Sequence, residues 1–214
     1  MKEMTTDMEK RVRCALAVLL VPVLFAYPAA AQATSQETCV KGKPNAPIRI
    51  EVFSDYECPG CRAFYLQTMK QVFLNYADKG LACVIYREFP SYPRSREAAA
   101  WARAALRVGP RQWELAADAL FQSQPQWSRS GDIEGVVAAA IGARDMAAVR
   151  KYANDPAMED AIDRDAIMGV KLQVNVTPTL LITAHGRTEK AVGALTYAAM
   201  QRRLDPLLGR PAAP

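Results

Sequence analysis

The chain is 214 residues long, half hydrophobic and 23% charged, with 11 Gly and 14 Pro dispersed along it. That composition excludes collagen-like and wholly disordered chains and leaves room for one or two domains around a sizeable core. The formal net charge of +5 comes from scattered rather than clustered Lys and Arg, so no nucleic-acid partner is expected and a mildly basic, solvated surface is the reading.

Residues 1–31 read as a signal peptide. Lys10, Arg11 and Arg13 precede a 14-residue apolar run, Cys14 to Tyr27, which is too short to span a bilayer and is followed by small-x-small cleavage positions at Ala31 and Ala33. Glu3, Asp7 and Glu9 are unusual in such a leader, and an uncleaved membrane anchor is the alternative. Cleavage predicts a periplasmic or otherwise exported protein, in a compartment where disulfides persist. Cys14 would leave with the leader, and the remaining Cys39, Cys58, Cys61 and Cys83 allow three pairings among which spacing does not choose.

Apolar Ile48, Ile50 and Val52 alternate with Arg49 and Glu51, which predicts a strand over 48–54. Directly after it comes Cys58-Pro59-Gly60-Cys61. The period then switches: Tyr65, Met69, Val72, Phe73 and Tyr76 recur at helical spacing until Asp78-Lys79-Gly80 ends the run. The motif therefore falls at a strand-to-helix junction, with Pro59 acceptable in the first turn, Cys58 at the helix N-terminus and Cys61 one turn in, on the apolar stripe. Unpaired N–H groups and the positive end of the helix dipole favour a thiolate at Cys58, making it the nucleophile, while the inward Cys61 is the resolving thiol.

C-x-x-C is also half of a zinc site, and it can be a staple. Zinc needs two further ligands, and only Cys39, Cys83 and the single His185 are available, without a second ligand pair. A link across two residues removes little chain entropy, so it is a poor stabiliser. Redox chemistry is the reading that remains.

A second strand pattern, Leu81 to Pro90, completes a βαβ unit whose strands should be parallel. Far downstream, Val176-Thr177-Pro178-Thr179 leads into Leu180 to Thr183, a His185-Gly186 turn and Arg187 to Val192, which predicts an antiparallel hairpin. Pro178 is either the first residue of an edge strand or a cis proline in a tight turn. Between these parts the chain is Ala-rich and punctuated by Gly109-Pro110, Pro125, Ser130-Gly131-Asp132 and Asn154-Asp155-Pro156, which predicts five short helices at about 94–108, 110–122, 132–142, 145–153 and 156–172. A last helix is expected over Thr196 to Leu208. Trp101, Trp113 and Trp127 read as helix packing, and His185 as an exposed turn residue.

The run Pro47 to Arg62 around Cys58-Pro59-Gly60-Cys61, followed at long range by Val176-Thr177-Pro178-Thr179, resembles the DsbA-like thiol:disulfide oxidoreductases over nearly the whole mature chain. Gln112-Trp113-Glu114 with Ala119-Leu120-Phe121 is similar to that family's helix pair. The resemblance implies an α/β, thioredoxin-like fold with a central mixed sheet and an inserted all-helical subdomain. Its halves would be 32–90 and 176–214, with the insertion at 91–175. It implies that Pro178 is a cis-proline lying against the C-x-x-C, that Thr177 contacts substrate and tunes the thiolate, and that no cofactor is needed. Disulfide exchange would pass through a mixed disulfide at Cys58. The partners implied are unfolded or reduced exported proteins and a membrane redox partner for re-oxidation, with a monomer as the default state.

The sequence departs from the family's best-known members at two places. Gly60 stands where they carry a histidine that helps hold the thiolate. Val52 stands where many relatives carry a glutamate, and Glu51, one step earlier, points to the other face of its strand. Asp55 and Glu57 lie close to the motif but read as solvated acids. Cys39 and Cys83 form either a structural disulfide or a loose thiol and a buried one. The leading function is an exported oxidase that introduces disulfides. A reductase or isomerase on the same fold is the alternative, and a redox-inactive peptide-binding module beside Pro178 the second alternative, which would not need both Cys58 and Cys61.

Overall fold

Five strands, β1 (Lys41–Gly42), β2 (Ile48–Ser54), β3 (Ala82–Glu88), β4 (Thr179–Ala184) and β5 (Arg187–Val192), form one mixed sheet in the order β1-β3-β2-β4-β5. They are seen in a computed structural model that describes residues 38–211; the signal peptide expected at 1–31 lies outside the described residues. β2 and β3 are parallel, in register from Ile48 opposite Ala82 to Ser54 opposite Glu88. β4 runs antiparallel to β2, and β5 antiparallel to β4. The two-residue β1, which no alternation announces, pairs antiparallel with β3.

Alternation along β2 and β3 puts Ile48, Ile50, Val52, Ala82, Val84 and Tyr86 on one face, all buried in the main core. A single helical run over 59–77 covers that face. It consists of α1 (Pro59–Phe64) and α2 (Lys70–Val72) joined and followed by the wider π-type turns Tyr65–Met69 and Phe73–Ala77. The run buries Phe64, Tyr65, Met69, Val72, Phe73 and Tyr76, and each large apolar side chain among them contributes about 1.5–3 kcal/mol by leaving water. It stops before Gly80, whose φ of +71° closes the turn into β3. The other face of the sheet carries a smaller cluster of Phe53, Val174 and Leu181, with Phe89 and Met168 against it.

Between β3 and β4 come α3 (Ser95–Val108), α4 (Pro110–Gln122), α5 (Gln124–Ser130), α6 (Ile133–Ile141), α7 (Ala143–Ala153) and α8 (Pro156–Lys171). The chain therefore has a thioredoxin fold with a helical insertion. Six helices stand where the sequence pattern predicts five. The addition is α5, because Pro125 opens a helix rather than merely separating two: prolines sit in the first turns of α4, α5 and α8, where their missing N–H costs nothing. Trp127 of α5 is fully buried and donates its Nε1–H to Leu120 O at 2.7 Å. Asp132 and Asp155 cap α6 and α8. The buried alanines of α3, among them Ala98, Ala102, Ala104 and Ala105, let neighbouring helices approach closely. After the β4–β5 hairpin, α9 (Tyr197–Leu207) starts at a Thr196 cap and packs on the 59–77 run through Met200 and Leu204. Among the described residues, no helix is long and apolar enough to cross a membrane.

Cys39 and Cys83 form a disulfide with their Cα atoms 5.4 Å apart. Pairing of β1 with β3 sets Gly42 opposite Cys83 and so draws the segment before β1 over the start of β3. This resolves the choice that spacing left open.

Candidate active site

β2 ends at Ser54, and Asp55 to Glu57 turn the chain into α1. Cys58 is the residue before the first helical turn, in extended conformation (φ −73°, ψ 122°), so its side chain stands at the free N–H groups of the helix. Cys61, one turn on, is only 1% exposed against 7% for Cys58, and both are free thiols. The Asp55 backbone N–H reaches Cys61 Sγ at 3.4 Å. Opposite them lies the loop before β4, where the Thr177–Pro178 peptide bond is cis. Thr177 O is 3.6 Å from Cys58 Sγ. A Cβ placed on Gly60 would stand 3.7 Å from Cys58 Sγ, Pro178 Cδ and Thr177 O alike, so motif and loop are in contact with no side chain between them. The loop is itself held at both ends: Gly193 N–H donates to Pro178 O at 2.8 Å, and the Thr179 hydroxyl donates to Val176 O at 2.6 Å.

The two sulfurs differ in chemistry as they do in exposure. Cys58 is lowered from 9.0 to about 5, chiefly by the hydrogen bond it receives from the Cys61 thiol, against the opposing effect of burial. The Thr177 contact and the N–H groups of Cys61 and Gly60 add to the lowering. Cys61 moves up, because burial and the bond to the Cys58 sulfur both keep its proton on. One proton shared in this way gives an outer thiolate and an inner thiol.

Two acids that read as solvated are part of the structure around the motif. Asp55 is 2% exposed and accepts from Ser95 Oγ at 2.5 Å, Ser91 N at 2.6 Å and Glu57 N at 2.8 Å. Burial raises its pKa against those bonds. Glu57 accepts from Arg94 N at 2.7 Å, so both acids fasten the 91–95 segment to the residues preceding Cys58. Glu51 points to the opposite face, as alternation requires, and takes Arg49 and Arg87 as partners. These hydrogen bonds outweigh burial and lower its pKa. The carboxyl that lies on the motif's face is Glu88, at the end of β3 beside Ser54. Burial, with the nearby Asp165 and Asp55 charges, pushes it up to about 8 against Arg103.

The inserted helices reach the motif directly. Gln124 of α5, buried, donates to both Tyr56 O at 2.7 Å and Cys58 O at 3.1 Å. Arg62 donates from Nε to Phe121 O at 2.8 Å, and Trp113 Nε1–H meets Tyr56 Oη at 3.1 Å. Phe121 stacks on Tyr56 and on Tyr65 at centroid distances of 4.9 and 4.6 Å.

Cys58, Pro59, Gly60, Cys61, Thr177 and Pro178 are thus one constellation, although about 120 residues separate its halves, the Cys58–Thr177 contact spanning 119 positions. Cys39 and Cys83 are elsewhere, at the other end of β3 in a separate apolar cluster with Ile85. Among the described residues no group of His, Cys, Asp and Glu could hold a metal ion. Sequence reasoning passed over Glu88 and Gln124. The signal available for Glu88 was its place at the carboxyl end of a parallel strand neighbouring the one that carries the motif, where sites of α/β sheets collect; Gln124 carried none.

Comparison with known proteins agrees with this geometry. A family model described as Thioredoxin (Thioredoxin_4) matches residues 34–205. The probable disulfide bond formation protein D of Bacillus anthracis is 22% identical over 149 residues, 67% of this chain and 69% of that protein. The crystal structure of Wolbachia pipientis α-DsbA1 superposes with a TM-score of 0.68 at 23% identity, covering 79% of this chain and 89% of that one. Oxidised BdbD from Bacillus subtilis gives 0.66 at 19% identity, covering 79% and 91%. The fold and the paired thiols define a thioredoxin-type redox protein. The chain belongs to the thioredoxin family, has a DsbA-like fold and is a thiol:disulfide oxidoreductase.

Proposed function

We propose that this oxidoreductase is exported and introduces disulfides into reduced client proteins through Cys58 and Cys61. In the oxidised enzyme a client thiolate attacks Cys58 Sγ, and the Cys58–Cys61 bond breaks with the electron pair leaving on Cys61, which takes a proton. The client's second thiolate then attacks its own sulfur in the mixed disulfide and expels Cys58 as the thiolate. The client loses two electrons and two protons; the enzyme gains both electrons and one proton, on Cys61, and the other proton goes to solvent while Cys58 remains a thiolate. A membrane redox partner would remove those electrons. Residues 32–90 and 176–214 would form the thioredoxin-like halves and 91–175 the insertion, with Thr177 and Pro178 offering backbone groups to an extended client segment and the protein acting as a monomer.

The observation that carries the direction is the Cys58 thiolate, stabilised to a pKa of about 5. Whatever stabilises the thiolate stabilises the reduced enzyme, and so makes its disulfide the better oxidant. The name of the Bacillus anthracis relative, a disulfide bond formation protein, supports the same direction. One observation favours the reverse: Gly60 offers no side-chain donor to that sulfur. Equilibration with a glutathione series, read by thiol alkylation and mass spectrometry, separates the two. A potential near −120 mV, about that of a strong dithiol oxidant, supports the oxidase, and one near −270 mV, about that of thioredoxin, assigns a reductase. Cys61→Ala should trap mixed disulfides with disulfide-bonded clients, the Cys58 thiolate displacing one client thiolate and no second thiol being present to resolve the bond, and a variant that traps none refutes the exchange mechanism.

A further inference from the structure

Asp55 is a buried carboxyl that the exchange mechanism leaves unused. It follows the last residue of β2, and its side chain collects three donors. Oδ1 accepts from Ser95 Oγ at 2.5 Å and Glu57 N at 2.8 Å, and Oδ2 accepts from Ser91 N at 2.6 Å. Ser91 precedes α3 and Ser95 opens it, so the carboxyl ties the turn before the motif to a separate element. The backbone of the same residue touches both thiol-bearing residues: Asp55 O accepts from Cys58 N at 3.2 Å, and Asp55 N–H donates to Cys61 Sγ at 3.4 Å. When the Cys58–Cys61 bond breaks, the electron pair arrives on a sulfur that is 1% exposed, with almost no water to solvate it. The Asp55 N–H is already aimed at that sulfur and, against burial, favours its charged form.

We propose that Asp55 is a positioning residue for Cys61: its carboxyl, clamped by Ser91, Ser95 and Glu57, holds its own backbone N–H at the Cys61 sulfur, where it stabilises the leaving thiolate when the enzyme's disulfide is attacked. The proposal rests on the dithiol mechanism above. The incoming thiolate bonds to Cys58 Sγ, the Cys58–Cys61 bond breaks with its pair on Cys61, and a proton from solvent then neutralises that sulfur. The amide keeps its own proton throughout. The carboxyl contributes placement and not charge, since a negative group beside an arriving negative charge opposes the step. A donor that needs no rearrangement as charge arrives counts for most in a site that excludes water.

The test compares two steps that differ in which enzyme sulfur leaves. In the first, oxidised full-length protein is reduced by excess glutathione, and Cys61 departs. In the second, Cys61→Ala protein carrying glutathione on Cys58 is treated with dithiothreitol, and Cys58 departs. Acid quenching and mass spectrometry read both rates. Asp55→Asn keeps the side chain's shape but replaces one acceptor oxygen with an N–H group that faces another donor. It should slow the first step about tenfold and change the second by less than about twofold, because Thr177 and the N–H groups of residues 60 and 61 remain to hold the Cys58 thiolate. Ser95→Ala, which spares the carboxyl and removes one of its donors, should slow the first step about threefold and serves where Asp55→Asn does not fold. Faster reduction of Asp55→Asn overturns the proposal, because charge and not placement would then govern the step. An unchanged first step overturns it too, as does equal slowing of both steps, which marks a general loosening of the turn. A wild-type protein that glutathione does not reduce refutes the dithiol mechanism, and the proposal falls with it; reduction of the wild type with no selective slowing in the variants refutes the role of Asp55 alone.

Discussion

The Cys61 thiol is the largest cause of the Cys58 shift, and replacing it gives a direct measure of that cause. At pH 6 a thiol lowered from 9.0 to about 5 is ionised to roughly nine parts in ten, whereas an unperturbed one would be ionised to about one part in a thousand. Cys61→Ala removes the S–H donor but leaves the N–H groups of residues 60 and 61 and the helix terminus. A hydrogen bond to a charged group is worth about 1.5–3 kcal/mol, which is about one to two pK units. The Cys58 midpoint should therefore rise to between about 6 and 7, and the thiolate fraction at pH 6 should fall between about two- and tenfold. Cys61→Ser, which keeps a donor at nearly the same place, should titrate close to the wild type. Iodoacetamide labelling of the reduced protein across pH 4–9, followed by mass spectrometry, reads the midpoint. If Cys61→Ala still titrates near 5, backbone dipoles alone hold the thiolate and the reasoning from the thiol pair is wrong. If Ser and Ala behave alike, the effect is packing and not hydrogen bonding.

Removing the structural disulfide with Cys39→Ala and Cys83→Ala opens a loop of 44 residues, worth about 4 kcal/mol in the chain-entropy model. Urea denaturation should show that loss while the Cys58–Cys61 potential stays unchanged, and a loss under about 1 kcal/mol would mean that β1 is held by pairing alone. Glu88 titrates near 8 in the fold and near 4.5 when unfolded. A raised carboxyl contributes stability that is complete below the unfolded value and lost as pH rises through the folded one, so stability should decline between about pH 4.5 and 8, by at most about 1.4 kcal/mol per unit. Glu88→Gln, which imitates the protonated acid, should flatten that decline in melting experiments across the same range; an unaltered pH profile would show that Glu88 stays ionised in the fold.

The parts of this fold that the sequence disclosed are those where one local pattern decides the outcome. Alternation of Ile48, Ile50 and Val52, then the switch to helical spacing from Tyr65, suffices to put Cys58-Pro59-Gly60-Cys61 at a strand-to-helix junction, because periodicity reflects the face that must be buried. Arg187 to Val192 is likewise delimited by its turn. The π-type turns at Tyr65–Met69 and Phe73–Ala77 have no such pattern; apolar residues in adjacent pairs suit either an α-helical stripe or a wider one, and packing on the sheet decides. Pro125 marks a boundary in either reading, and only the burial of Trp127 shows that a helix follows. The pairing of Cys39 with Cys83 depends on β1 joining β3, a contact too short to signal itself in two residues. Asp55 was illegible for a related reason: an acidic residue in a sequence carries no mark of the Ser91 and Ser95 that will surround it.

The insertion is more than an addition to the thioredoxin halves, because the motif helix does not hold its own position. Its N-terminus is pulled one way by Asp55 and Glu57, which bind the 91–95 segment that opens α3, and the other by Gln124 of α5, which holds Cys58 O. Further along, Arg62 is fixed to Phe121 O, and Tyr65 donates to Asp118 at 2.6 Å. Every one of these partners belongs to the segment between β3 and β4, while Thr177 O, 3.6 Å from Cys58 Sγ, comes from the loop that follows it. Bonds from separate elements on several sides over-determine the place of the sulfur, and a thiolate whose donors are already in position costs no reorganisation when charge arrives there. In this architecture the helices set the orientation of the motif, the cis loop closes it from the opposite side, and the difference between the outer and inner thiol follows from where each lies along a helix that cannot turn.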